Sequence, residues 1–433
     1  VPARPWAAAA RSEEAVRAAV GQAHRSDWAL VLSATVRVTR DIDLAEECVQ
    51  DAYVSALAAW ARAGVPANPA AWLTTTARRK ALDALRRDKT LRAKLPLLIE
   101  PGPAEPDDPE PGRGEDRIPD DRLRLVFTCC HPALGREAQV ALALRLICGL
   151  TTAEIAAAFL VPEPTMAARV TRAKKKITTA RIAYRVPETA ELPERLDAVL
   201  TVIHLVFTTG HAAPGGDSLV RGELVDQAIA MARMIASLMP DEREVTGLLA
   251  LLILTDARRA TRTDASGRLL LMAEQDRSRW DHGAIAEGAR LAAQAMRGPR
   301  PGRFAAQAAI AAVHATASDY AETDWPLLVA RYDALLRVWP SPVVQLNRAV
   351  AVAMAQGPDA GLAEIARIEA DGRLAGYRYL PAAKADLLRR AGRSAEAAAS
   401  YQAALELTQN EAERAFLTAA MADARPTDGR PGS

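Results

Sequence analysis

Aromatic residues are scarce in this chain, at 4% of 433 positions, although half of all residues are hydrophobic and the excess is Ala and Leu. That balance favours helices over sheets. Cysteine is nearly absent as well: Cys48, Cys129, Cys130 and Cys148 are too few and too clustered for a disulfide framework. The adjacent Cys129 and Cys130 do not converge easily on one ion, even with His131 and Cys148 nearby, so packing is the reading and no metal site is expected. No Gly-rich phosphate loop, nucleophile elbow or HExxH occurs, and His24, His204, His211, His282 and His314 are scattered. Nothing therefore marks an enzyme or requires a cofactor. No apolar run is long enough for a bilayer and there is no signal-peptide pattern, which points to the cytosol and away from a membrane. The first residue is Val1, which is consistent with a non-AUG start or one lying upstream. A net charge of only +2 means that any affinity for nucleic acid has to come from local patches.

Such a patch is present. Between Arg136 and Arg185 the cations face only Glu137, Glu154 and Glu163. Within it, Leu150 to Lys176 reads as two short helices around a tight turn. Thr152 is placed to cap the first, whose apolar side is Ile155, Ala156 and Phe159. The turn Leu160-Val161-Pro162-Glu163-Pro164 stops it, and Pro164 suits the first turn of the next helix. There Met166, Val170, Ala173 and Ile177 recur at core spacing. Thr165, Arg169, Arg172 and Lys176 recur one residue earlier, on a neighbouring face that stays in water. A helix that packs with one face and presents cations on another is what entry into a DNA major groove requires. The competing reading is a solvated cationic face on a surface helix.

Around this helix-turn-helix the chain divides by composition. Residues 12–95 read as a helical domain. In the helix expected over Asp41–Trp60, Leu44, Cys48, Val49, Ala52, Tyr53, Ala56 and Trp60 share a broad apolar side. Glu46, Glu47, Gln50 and Asp51 are assigned to an acidic outer face. A second helix, Ala70–Lys89, packs through Trp72, Leu73, Ala77, Ala81, Ala84 and Leu85 and carries Arg78, Arg79, Lys80, Arg86 and Arg87 outward. Opposite charges on two helices suggest two partners. Residues 96–121 are rich in Pro, Gly, Asp and Glu and read as an extended acidic linker. Residues 122–187 hold the helix-turn-helix, and 188–425 are again helix-rich, with breaks at 214–216 and at 240–241, 298–302, 340–342, 357–358 and 392. Residues 377–410 resemble one tetratricopeptide unit, with Ala385, Leu388, Gly392, Ala397, Tyr401 and Ala404 at its packing spacing, although Gln409 stands where the motif usually has Pro. Tyr332 to Pro340 resembles the end of an earlier unit, two periods of about 34 residues before. The segment Leu248–Thr255 is too apolar to stand in water and must be buried. The expected fold is all-α: two small helical domains joined by a linker, then a helical-repeat extension.

The order of these parts resembles the extracytoplasmic-function group of bacterial RNA polymerase sigma factors, in the subgroup with a long tetratricopeptide-like C-terminal extension. Ala45 to Tyr53 looks like that family's DAEDLVQEVF segment, with Glu47 for Asp and Cys48 for Leu. Ala71-Trp72-Leu73, Arg78 and Leu82 to Arg87 look like its AWL…AR…ALDLLRR helix. Leu150 to Ala156 and Thr165 to Lys174 look like LSYxEIA and TVKSRLxRAR, with Leu160 in place of the usual turn Gly. The Phe127–Leu134 stretch also fits the subgroup. The resemblance implies that Glu46, Glu47, Gln50 and Asp51 dock on core RNA polymerase, with clamp and flap surfaces as the partners. It implies that Asn68, Arg78, Arg79, Lys80, Arg86 and Arg87 serve the −10 element, Asn68 marking a loop pocket for an unstacked base. It assigns Thr165, Arg169 and Arg172 to bases of the −35 element and Lys174, Lys175 and Lys176 mainly to phosphates. Promoter DNA is then a partner, and control runs through the extension, with a regulatory protein as its expected partner. The main alternative is a helix-turn-helix regulator whose extension senses a ligand or partner without core polymerase.

Overall fold

The computed structural model describes residues 5–94, 121–159, 161–211, 222–264, 268–298, 300–408 and 410–424. The expected linker (its residues 96–120), Leu160 of the turn, the break at 214–216 and Gln409 lie outside the described residues. Among the described residues the structure is helical, without a β-strand; one isolated antiparallel bridge pairs Thr263 with Leu269. No helix among them is long and apolar enough to cross a membrane. The chain divides into two compact units, one ending at Val202 and the other beginning at Ile203.

The first unit begins with three packed helices, α1 (Pro5–Thr39), α2 (Ile42–Ala63) and α3 (Pro69–Lys94). Asp41 starts α2 as its N-cap, its carboxylate accepting from the amides of Asp43 and Leu44 at 2.8 and 3.0 Å. Ala45, Val49, Ala52, Ala56 and Trp60 turn inward, and on α3 Leu73, Ala77 and Ala81 repeat every fourth residue at 0% exposure. Small residues at this repeat let the helix axes approach closely around the buried Trp28, Tyr53 and Trp60. Tyr53 is buried and donates its hydroxyl to the Ala23 carbonyl at 3.2 Å.

Five short segments follow: α4 (Asp121–Cys129), α5 (Arg136–Leu142), a π-helical turn Ala143–Ile147, α6 (Thr152–Ala158) and α7 (Glu163–Thr179). Met166, Val170, Ala173 and Ile177 are the buried face of α7, as their spacing predicts. Cys129, Cys130 and Cys148 are buried and free, and burial raises all three thiols, Cys130 and Cys148 to about 12. They pack; they are not poised to react. Gly149 adopts φ +73°, and a Cβ there would come within 3.0 Å of both His24 and Trp28 of α1, so glycine is required where the two halves of the unit meet.

α8 (Leu192–His211) carries the division between the units within it, not at Pro187. Its early residues belong to the first unit: Arg195 donates to the Phe127 carbonyl at 2.8 Å, and Leu196, Val199 and Leu200 are buried. In the second unit, α9 (Gly222–Leu238), α11 (His282–Ala295) and α12 (Arg303–Thr316) surround α10 (Arg243–Asp256). Val245 through Leu254 are all buried, as the apolar run demands. α12 crosses α10 so closely that a Cβ on Gly247 would lie 2.5 Å from the Ala305 amide nitrogen. Then α13 (Trp325–Val338), α14 (Pro342–Gln356), α15 (Pro358–Asp371), α16 (Tyr379–Arg390), α17 (Ser394–Glu406) and α18 (Glu411–Ala424) each pack on the next, forming a helical array. The repeat expected over 377–410 is the α16–α17 pair: Ala385, Leu388, Ala397, Tyr401 and Ala404 share one core, and Gly392 makes the turn at φ +73°.

Candidate functional site

The helix-turn-helix forms at α6 and α7, with one change in its start signal. Thr151, not Thr152, caps α6. Its hydroxyl accepts from the Glu154 amide at 3.2 Å while Glu154 accepts from the Thr151 amide at 2.6 Å, a reciprocal capping box. Pro164 sits in the first turn of α7 as expected. Thr165, Arg172, Lys175 and Lys176 are exposed along α7. Arg169 is half-buried and pairs with the exposed Glu137 of α5 at 2.8 Å, a surface contact that DNA can displace at little cost.

On the other half of the unit, Glu47, Gln50 and Asp51 are exposed on α2, and Val54 and Leu57 stand on the same face, 66% and 41% exposed. An acidic face with bare aliphatic side chains fits a protein partner better than plain solvation. Of the α3 cations, Arg79, Arg86 and Arg87 are exposed and Arg78 and Lys80 half-buried. The acidic and basic faces are not separate. Lys80 reaches Asp51 at 3.6 Å, and Lys80 and Arg87 line a groove with Glu47 and Asp51. Arg79, Arg86 and the exposed Leu82 lie away from that groove. Asn68 is the N-cap of α3, its side-chain oxygen accepting from the Ala71 amide at 3.0 Å, so the helix start fixes the orientation of an exposed side chain whose NH2 group can still donate. Trp72 is half-buried, edge-on to Trp60 at 5.6 Å, and packs.

Two expected contacts change place. Glu46 is not on the outer face: its side chain is 6% exposed and is gripped by Lys174 of α7 and by Arg145 of the π-helical turn, the latter at 3.0 Å. Lys174 also pairs with Asp43 at 2.6 Å and is 14% exposed, so it is not free for phosphates in this arrangement. Burial alone would lower the Lys174 pKa, but the Glu46 charge and the hydrogen bonds to Asp43 and Glu46 outweigh it and raise the value. A lysine pKa raised on folding contributes stability that is complete below the ordinary lysine range and lost only above it. This staple thus holds across neutral pH. Around it, Tyr184 donates to the Ser33 carbonyl at 3.0 Å and Arg37 pairs with Asp121 at 3.6 Å, tying α1 to the helix-turn-helix half. Glu46→Gln is expected to cost about 2–3 kcal/mol, below the full loss for a broken buried pair because Lys174 keeps some solvent. Thermal unfolding of Glu46→Gln against the parent checks it; an unchanged midpoint would refute the staple.

Residues 28–90 match sigma-70 region 2, and residues 124–177 match sigma-70 region 4. Residues 195–296 match a family of unknown function, DUF6596. A protein of Rhizobium meliloti (strain 1021), itself uncharacterized, is 42% identical over 391 residues, which covers 89% of this chain and 91% of the relative. The chain belongs to the sigma factors of the extracytoplasmic-function type. No solved structure matches it. As a sigma factor with a C-terminal extension it has core RNA polymerase and promoter DNA as partners, and the matched sigma families are not enzymes. Region 2 of this sigma factor coincides with the α2–α3 surface and region 4 with α4–α7. The Glu46–Lys174 staple therefore joins region 2 to region 4. Sequence reasoning missed it because its partners lie more than a hundred positions apart and no local periodicity reports such a pairing.

Proposed function

We propose that this sigma factor directs core polymerase to its promoters through two surfaces of the first unit, and that the extension governs how much transcription results. Glu47, Gln50 and Asp51, with Val54 and Leu57 beside them, dock on the polymerase clamp, with region 4 at the flap. Arg79 and Arg86, aided by Arg78, Arg87 and Lys80, hold the strand near the −10 element. Thr165, Arg169 and Arg172 read the −35 element, while Lys175 and Lys176 contact phosphates. Lys174 joins those phosphate contacts only when it leaves Glu46, so the packed first unit is a resting form that opens on polymerase. Residues 12–95 and 122–187 are the two functional domains, residues 96–121 the linker between them, and the protein works in the cytoplasm with the enzyme it guides. The single observation that carries this reading is the exposed acidic and aliphatic face of α2 inside the segment matching region 2.

Arg169→Ala should cost about 1–3 kcal/mol of promoter binding and relax discrimination at one upstream base. Lys176→Ala should weaken all sequences alike and reduce the salt dependence of binding. Competition binding of the polymerase holoenzyme to promoters substituted base by base separates the two. Unchanged base preference in Arg169→Ala would move the reading face elsewhere on α7.

A further inference from the structure

Just beyond α10 the chain places Arg258, Arg259 and Arg262 in one short stretch. Arg259 is compensated, since it donates to Asp256 at 2.6 and 2.8 Å and to Asp226 at 2.7 Å. Arg262 donates to the His211 carbonyl. Arg258 differs from both in lining a cavity. Among the described residues no carboxylate pairs with it, and its hydrogen bond runs to the Gln275 side-chain oxygen at a long 3.4 Å. Burial, with Arg262 and Arg277 adding to the effect, pulls its pKa down to about 10, so the guanidinium remains charged at neutral pH. Arg258 is half-buried, and an arginine placed at a cavity without a paired carboxylate is suited to an anion.

Arg258 lines a cavity of about 530 Å³ among α8, α10, α12, α13 and α14. That volume lies in the range of small-molecule sites. Apart from Arg258 its walls are largely apolar and aromatic, with Leu251, Trp280, Ile310, Tyr332 and Trp339 among them, and His204 and His314 supply polar edges. Burial first, then nearby arginines, lowers both imidazoles to about 4, so they are neutral donors or acceptors at physiological pH. His314 Nδ1 is buried and has no hydrogen-bond partner among the described residues. Because His314 also lines the cavity, this nitrogen is available to a ligand there.

We propose that this cavity binds a small organic carboxylate, with its charge on Arg258 and its apolar or aromatic body against Trp280, Tyr332 and Trp339. The planar guanidinium matches a carboxylate with two parallel hydrogen bonds. Among the residues lining the cavity Arg258 alone is charged, and one cation flanked by neutral histidines suits a single negative charge better than a phosphate dianion. The aromatic walls exclude a purely polar ligand. This site lies wholly in the second unit and its binding does not depend on the polymerase reading; if that reading holds, the carboxylate is the extension's input.

The test uses the full chain without polymerase, so its outcome is separate from that of the sigma reading. Phenylacetate, benzoate and indole-3-acetate are titrated while tryptophan fluorescence and the melting temperature are followed. Phenylacetamide and inorganic phosphate serve as the neutral and the inorganic counterparts. At least one carboxylate should give a saturable fluorescence change and a higher melting temperature, with phenylacetamide roughly tenfold weaker or more and phosphate without effect. Arg258→Gln and Arg258→Met should lose the carboxylate response while melting at or above the parent's temperature, because each removes a charge that lacks a partner. The proposal is overturned if no carboxylate is bound, if the amide or phosphate performs as well, or if Arg258→Gln still responds. It is equally overturned if both Arg258 variants melt well below the parent without ligand, since Arg258 would then be serving the fold.

Discussion

Glu47→Lys with Asp51→Lys should abolish co-purification with core polymerase while leaving the fold intact. Both side chains are exposed, and the Asp51–Lys80 contact, at 3.6 Å with Asp51 62% exposed, contributes little to stability. At a charged interface the double reversal turns attraction into repulsion, and like charges placed together cost several kcal/mol. Affinity should therefore fall by at least about a hundredfold. Pull-down with purified core enzyme, beside circular dichroism and a melting curve for each protein, reads both halves of the expectation. A double variant that folds and still binds core as tightly as the parent would remove the α2 face from the account. Val54→Ala with Leu57→Ala tests the aliphatic part of the same surface and should weaken binding more modestly.

The second large effect concerns the extension. A chain ending after His204 should change promoter-dependent transcription by about 5- to 150-fold, the span of ordinary coupling energies, without altering which promoter is used. An end at Pro187 would be the wrong cut, since it strips Leu196, Val199 and Leu200 from the first unit and leaves the Phe127 carbonyl without Arg195. The shorter chain keeps that half of α8 and drops Val206 and Phe207, which are buried in the second unit. Both an inhibitory lid and a required brace would bury similar surface, so the sign comes from the assay. Transcription equal to full length in level and in promoter choice would separate the extension from initiation altogether.

How far the sequence reveals this molecule depends on the range of the interaction. The buried faces of α7 and α3 were legible because a helix repeats its core positions every three or four residues, and Met166, Val170, Ala173 and Ile177 obey that rule. Thr151 displaces Thr152 as the cap because two threonines in a row both satisfy the composition signal, while the reciprocal bond to Glu154 requires a spacing of three. Glu46 is the more instructive case. Its spacing to Val49, Tyr53, Ala56 and Trp60 puts it on the buried stripe of α2, and its charge alone argued for the outer face. The counter-charges that make burial tolerable, Lys174 and Arg145, arrive only through tertiary packing. The cap role of Asn68 is hidden for a related reason: an exposed amide in a loop and a helix cap have the same composition. The cavity beside Arg258 could not be read at all, because a missing carboxylate is a property of folded space and not of the chain's order.

The most direct test of the central claim is run-off transcription with purified core polymerase and a promoter upstream of a gene this sigma factor controls. Core enzyme alone should remain silent there, and adding the full chain should produce a defined transcript, with footprint protection at both promoter elements only when core is present. Protection of the same DNA by the chain alone, together with no gain in transcription when core is added, would contradict the account and make the protein a helix-turn-helix regulator that works without polymerase.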